Sequence, residues 1–188
     1  MRVWVVPFLM AICLIPEAAF ANGVTARQVV LQPKDVPTNV LVKSQTHAVA
    51  GYGACSSGYQ SLFGSGLNGP QALSSIAYRC PSAAGAAQLF SAFASWYEKY
   101  YDRQKWDFKL LPDLPVGQQH AAWFNAGLPG TVDIYGKAGK ADSITVVFQR
   151  DNFLVFLQVT YVGETLRKAE HSASLLGHIM NRHITSGQ

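Results

Sequence analysis

Two kinds of periodicity divide this chain. Alternation at every second residue is strongest over Ile144–Gln149 and Phe153–Tyr161. There Ile144, Val146 and Phe148 share one face with Phe153, Val155, Leu157, Val159 and Tyr161, and Val147, Leu154 and Phe156 lie on the other. Arg150-Asp151-Asn152 joins the two runs, so they read as a hairpin with a short polar turn. Apolar positions on both faces predict a central pair in a sheet partly covered on both sides. Weaker alternation predicts strands over Asn39–Val49, Leu73–Arg79, Trp106–Leu111, His120–Phe124 and Thr131–Tyr135.

Helical periodicity appears twice. Pro81-Ser82 opens the first helix, where Ser82 can cap the free N–H groups of the first turn. Leu89, Phe93, Trp96 and Tyr100 then recur at helical spacing, flanked by Phe90 and Tyr97, with Glu98, Lys99, Asp102 and Arg103 on the other side. This aromatic stripe is expected to face the core. The second helix runs over about Glu164–His183, with Leu166, Ala169, Ala173, Leu176 and Met180 as its buried line. Gly177, which costs a helix about 1 kcal/mol relative to Ala, implies a close contact, most simply with the sheet.

Between these elements, Gly51–Pro70 reads as a loop, with its glycines, serines, Tyr52, Tyr59 and Phe63. Ala126–Gly130 and Gly136–Asp142 read as turns. Residues 22–31 read as mixed and mobile, and Pro33 and Pro37 bracket a tight turn at Asp35. Strands cluster between two helices instead of alternating with them. The expected class is therefore α+β: one antiparallel sheet of about five to seven strands, with two main helices packed on it.

The first 21 residues follow a different logic. Arg2 precedes an apolar run from Val3 to Ile15, and Ala19-Phe20-Ala21 has the small-x-small form that signal peptidase cuts. Residues 1–21 are thus expected to be a secretory signal peptide, and 22–188 a single domain that works in the periplasm or outside the cell. The run is too short to span a bilayer, which takes roughly 20 residues, and no later stretch is long enough. Cys13 would suit a lipoprotein only with different residues than Met10 and Ile12 before it.

The net charge of +4 is unchanged by removing this segment. Its basic residues are scattered, with one modest cluster at Lys99, Arg103, Lys105 and Lys109. None interleaves with aromatics as a nucleic-acid surface requires. Removal of Cys13 with the signal peptide leaves Cys55 and Cys80, which an exported chain is expected to bridge.

Catalytic motifs are missing from the sequence: it has no His-Glu-x-x-His, Gly-x-Ser-x-Gly, Walker loop or Cys-x-x-Cys. His171 and His178, two helical turns apart, are separated by about 10 Å of rise and do not suit one metal. No cofactor or metal is expected. Tyr52, Tyr59, Trp123 and Tyr135 lie on the loop or near strand ends, where amphipathic aromatics often line ligand clefts. They are the expected lining of a cleft between the sheet and the Gly51–Pro70 loop.

The stretch Cys80-Pro81-Ser82-Ala83-Ala84-Gly85-Ala86-Ala87-Gln88-Leu89-Phe90, followed by Trp96, resembles a segment of the extracellular sensor domain of certain bacterial receptor Ser/Thr kinases. The end of the chain, Val147-Phe-Gln-Arg-Asp-Asn-Phe-Leu-Val with its strand pair and closing Ala-containing helix, does so too. The resemblance implies an antiparallel sheet with a cleft for a ligand and transfers no catalytic residue. That family generally carries two disulfides, whereas this chain has one possible pair.

The leading expectation is therefore an exported module that binds a small ligand, a lipid or a partner protein at the cell envelope, without catalysis. Two others stand beside it. One is a small extracytoplasmic hydrolase using His120 or His47 with Asp133. The other is an assembly protein that docks a partner through a sheet edge or apolar patch.

Overall fold

The computed structural model describes residues 23–36, 41–65, 72–104, 108–112, 114–132, 138–161 and 165–186. Residues 1–21, expected to be a signal peptide, and Asp133 and Tyr135 lie outside them. Among the described residues, seven strands form one antiparallel sheet: β1 (Leu41–Tyr52), β2 (Cys55–Ser65), β3 (Ala72–Arg79), β4 (Phe108–Leu110), β5 (Gln119–Val132), β6 (Ala138–Arg150) and β7 (Phe153–Tyr161). Their order is β1-β2-β3-β7-β6-β5-β4. It is two meanders joined where β3 pairs with β7. Helix α2 (Ala83–Gln104) carries the chain over one face, from central β3 to edge strand β4. Helix α3 (Leu166–Thr185) lies against β6 and β7 on the other. The expected α+β architecture is present.

The β6–β7 hairpin is the sheet's centre, as its alternation implies. Arg150 pairs with Phe153 across a two-residue turn whose Asp151 has φ 51°, a left-handed conformation that Asp tolerates. Ile144, Val146 and Phe148, with Phe153, Val155, Leu157, Val159 and Tyr161, are buried on the α3 face, together with Ala169, Ala173 and Met180 of the helix. Val147 and Leu154 are buried on the α2 face with Phe90, Tyr97 and Trp123, and Phe156 packs against them.

Five expectations are corrected. First, the Gly51–Pro70 segment is mostly strand. Its period-2 signal is hidden because glycines and serines occupy strand positions, yet Cys55, Ser61 and Phe63 are buried while Ser56 and Leu62 are exposed. A two-residue turn at Gly53-Ala54 starts it, with Gly53 at φ +56°, where Gly carries no steric penalty. Second, residues 23–31 are pinned. A short helix α1 (Ala26–Val29) precedes Val30 and Leu31, and Val29, Val30 and Leu31 are fully buried against the α3-face core. The Leu31 N–H donates to Ser75 Oγ at 3.1 Å. Beyond it, His183 of α3 meets Asp35 at 3.5 Å and the Val29 carbonyl at 3.3 Å.

Third, His120–Phe124 and Thr131 onward belong to one strand, β5. Its register shifts twice, between Asn125 and Leu128 and between Leu128 and Thr131, around Pro129, which cannot donate to a regular ladder. Fourth, Ala138–Asp142, expected as part of a polar turn, lies in β6. Fifth, the aromatic stripe of α2 is rotated. Phe90 and Tyr97 are buried, but Trp96 is 54 % exposed and Tyr100 37 %. Gly177 does mark a close contact, although not with the sheet. A Cβ there would lie 3.2 Å from Val116 Cγ2, in the connection before β5.

Cys55 and Cys80 form the expected disulfide, closing a sequence separation of 25. The bridge sits beside the β6–β7 turn, where the Cys80 N–H donates to the Asn152 carbonyl at 2.8 Å and Asn152 Nδ2 donates to the Cys80 carbonyl at 3.1 Å.

Candidate functional site: a polar groove beside helix α2

Alternation places every second residue of each strand on the α2 face, and strand register aligns these residues into rows across the sheet. One row runs His47–Gln60–Ile76–Phe156–Val147 and is largely apolar at its centre. The next runs Gln45–Leu62–Ser74–Gln158–Thr145–Trp123. The third runs Gly64–Ala72–Thr160–Ser143–Asn125. Polarity thus rises along the face, away from the start of α2.

Helix α2 covers only part of this surface. Tyr97 roofs the β5–β6 side, with its ring 4.6 Å from Trp123 and its hydroxyl donating to Thr145 Oγ1 at 3.1 Å. Asn125 Nδ2 donates to the same hydroxyl at 3.0 Å. On the β2–β3–β7 side the polar rows stay open. A hollow of about 520 Å³ is lined by Gln45, Gln60, Ser74, Gln158 and Thr160 together with Leu62, Phe63, Gly64, Ala72 and Leu73, and Leu62 stands exposed there. One of about 250 Å³ continues it under the helix, between Ser74, Gln158, Ile76, Phe156, Tyr97 and Thr145. Ser74 and Gln158 belong to both, so the two form one groove. Gln60 Nε2 donates to Ser74 Oγ at 3.1 Å, which fixes part of the floor. The larger hollow falls within the range of about 300–1,000 Å³ usual for small-molecule sites.

An aromatic cluster continues from Phe156, which lines the smaller hollow with Tyr97. Phe93 of α2 stands 4.6 Å from Phe156 and 6.3 Å from Tyr52, and Tyr52 lies 5.6 Å from Tyr78. Trp96 and Tyr100 extend from this same side of the helix, three and seven residues beyond Phe93. They stack on each other at 5.2 Å and 22°. Burial raises the pKa of the Tyr52 hydroxyl above its ordinary 10.0. Tyr78 is raised by burial first and by its neighbour Tyr52 second.

The residues singled out from sequence do not converge. Tyr52 belongs to the aromatic cluster on the α2 face, whereas Tyr59 packs against the α3-face core. Trp123 is fully buried under Tyr97. Tyr135 and Asp133 lie outside the described residues. His47 on β1 and His120 on β5 are separated by five strand spacings, roughly 24 Å, so they cannot serve one site. They also face opposite ways, since His120 pairs with Phe148 of the α3 face. Among the described residues, no three His, Cys, Asp or Glu side chains gather as a metal site. Gln60, Ser74, Thr145, Gln158 and Thr160 escaped the sequence reading. Their signal, uncharged polar residues alternating with buried ones, is also that of any solvated sheet face.

No family model matches the chain, and no curated protein matches it. Among solved structures, the extracellular domain of PknH from Mycobacterium tuberculosis matches 84 % of this chain and 98 % of its own, with a TM-score of 0.50 and 9 % identity. The likeness is one of fold. It agrees with the resemblance that the Cys80–Phe90 and Val147–Val155 segments carry to receptor-kinase extracellular domains.

Proposed function

We propose that this chain is an exported binding module that takes its ligand or partner in the groove beside α2 and performs no chemistry on it. The observation that carries this reading is the open hollow over Gln60, Leu62, Ser74, Gln158 and Thr160, next to a helix that covers the β5–β7 part of the same face. A concave floor that continues under aromatic side chains is the geometry of a binding site. The fold shared with an extracellular domain and the signal-type N-terminus support export.

Native mass spectrometry of the protein recovered from the exported fraction tests this directly. The expected chain begins at Asn22, carries one disulfide and retains a bound mass that Ser74→Trp, which fills the groove, removes. A mass that survives this substitution in a folded variant places the ligand elsewhere. An uncleaved chain confined to the cytoplasm would overturn export.

A further inference from the structure

We infer that β1 is a pairing edge for a second copy of this chain, so that two sheets join antiparallel, β1 to β1, about a two-fold axis at Thr46. The inference goes beyond the groove and does not depend on what the groove binds.

The two edges of the sheet are built differently. β4 is three residues long with Lys109 at its middle, and β5 beside it is broken by two register shifts around Pro129. Short strands, lysines, prolines and bulges are the devices that keep a sheet edge from pairing. β1 is twelve residues long, with no proline and one charged residue, Lys43. It pairs with β2 in eight consecutive register positions, from Lys43–Gly64 to Ala50–Ser57. Ser44, Gln45, Thr46, Ala48 and Ala50 are exposed, with no further strand beyond them among the described residues.

Register decides which backbone groups are left over. Tyr52 and Cys55 flank the two-residue turn, so they are a hydrogen-bonded pair. Along an antiparallel ladder such pairs alternate with non-hydrogen-bonded ones. Ser44, Thr46, Ala48 and Ala50 therefore turn their N–H and C=O groups toward β2. Gln45, His47 and Val49 turn theirs outward, and an added strand supplies the complementary row of donors and acceptors.

A second copy fits because the edge is complementary to itself, as a two-fold interface requires. With the axis at Thr46, Gln45 lies opposite the partner's His47, Ser44 opposite the partner's Ala48 and Lys43 opposite the partner's Val49. Polar meets polar on the α2 face and small meets small on the other. Like charges stay apart, since the two Lys43 residues stand six positions from each other, roughly 20 Å along the strands. An axis at His47 would instead set two imidazoles face to face. The axis is perpendicular to the sheet, so both α2 helices lie on one side, and the row of Gln45 and Leu62 runs on into the partner's His47 and the partner's Gln60. An eight-residue edge spans roughly 27 Å and buries less than the roughly 1,200 Å² of a standard interface, so the dimer is weak and concentration-dependent.

Sedimentation equilibrium of the mature protein tests this. The mass should rise from one chain toward two as the concentration climbs to about 1 mM, the range of a weak interface. Ala48→Lys, at an exposed position, should weaken the dimer about tenfold by setting a charge into the paired edge. An unchanged melting temperature will show that this variant folds. Thr46→Cys should cross-link to itself under mild oxidation, and Ser44→Cys should cross-link to Ala48→Cys in a mixture of the two. Ser44→Cys alone should not, because its two copies stand four positions apart along the strands. A single-chain mass at every concentration overturns the inference. So does a dimer that Ala48→Lys leaves intact, or one in which Ser44→Cys cross-links to itself and not to Ala48→Cys.

Discussion

The two faces of this sheet share the same strands and have opposite fates. On the α3 face, Leu73, Ala77, Val155, Leu157 and Val159 meet α3 and the N-terminal segment, and all are buried. On the α2 face, the residues between them are Ser74, Ile76, Phe156, Gln158 and Thr160, and the roof stops midway. β7 shows the contrast along one strand, since Leu157 is fully buried while the next residue, Gln158, floors the groove. One face is closed by α3 and the N-terminal segment. The other is covered by α2 over β5–β7 and leaves a hollow open beside it.

Several measurements can break or sharpen this contrast. Leu157→Ala should have the largest effect, about 2–5 kcal/mol read from the urea midpoint, because it leaves a cavity in the sealed core. Gln158→Ala beside it should cost no more than about 0.5 kcal/mol, as for surface sites generally. Equal losses at the two positions would mean that the faces are not distinct.

Reducing the Cys55–Cys80 bridge should lower stability by about 3.5 kcal/mol, the chain-entropy value for a loop of this length. An unshifted melting temperature in dithiothreitol would show that the bridge adds nothing. Tyr97→Phe removes the hydroxyl that joins Asn125 and Thr145 and strands the Asn125 amide in the interior. It should cost about 1–3 kcal/mol while keeping the ring stacked on Trp123.

The smallest effect concerns alkaline pH. Tyr52 and Tyr78 hold their protons above the ordinary 10.0 because burial disfavours the phenolate. Above pH 10 the unfolded chain loses these protons before the folded one does. Stability should therefore fall as pH climbs past 10, and less steeply in a Tyr52→Phe/Tyr78→Phe variant. Ultraviolet titration of tyrosine ionisation should show the variant lacking the most alkaline part of the curve.

The sealed face was more legible in the sequence than the open one. Val146, Phe148, Val155 and Leu157 alternate without interruption, so the central hairpin and its burial could be read directly. Ala169, Ala173 and Met180 marked the inner side of α3 for the same reason. The groove could not be read, because Ser74 and Gln158 carry the same pattern whether they face open solvent or the wall of a cleft. The difference is set by where α2 crosses, and that crossing depends on β3 lying at the centre and β4 at the edge, a matter of topology. β2 was hidden because Gly58, Ser61 and Gly64 occupy strand positions without the bulk that announces a strand. Aromatics near strand ends were ambiguous for a related reason: they serve equally as lids over a core, and Trp123 sits wholly inside one.

The link between His183 and the N-terminal segment has a practical consequence for how the molecule can be held. Val24 and Ser186 line the same hollow of about 400 Å³, so the first and last described turns of the chain are neighbours on the α3 side. A bead or surface tether fixed to the described turns at Val24 or Ser186 grips the molecule on its α3 side. The groove then points away from the support, toward whatever diffuses past.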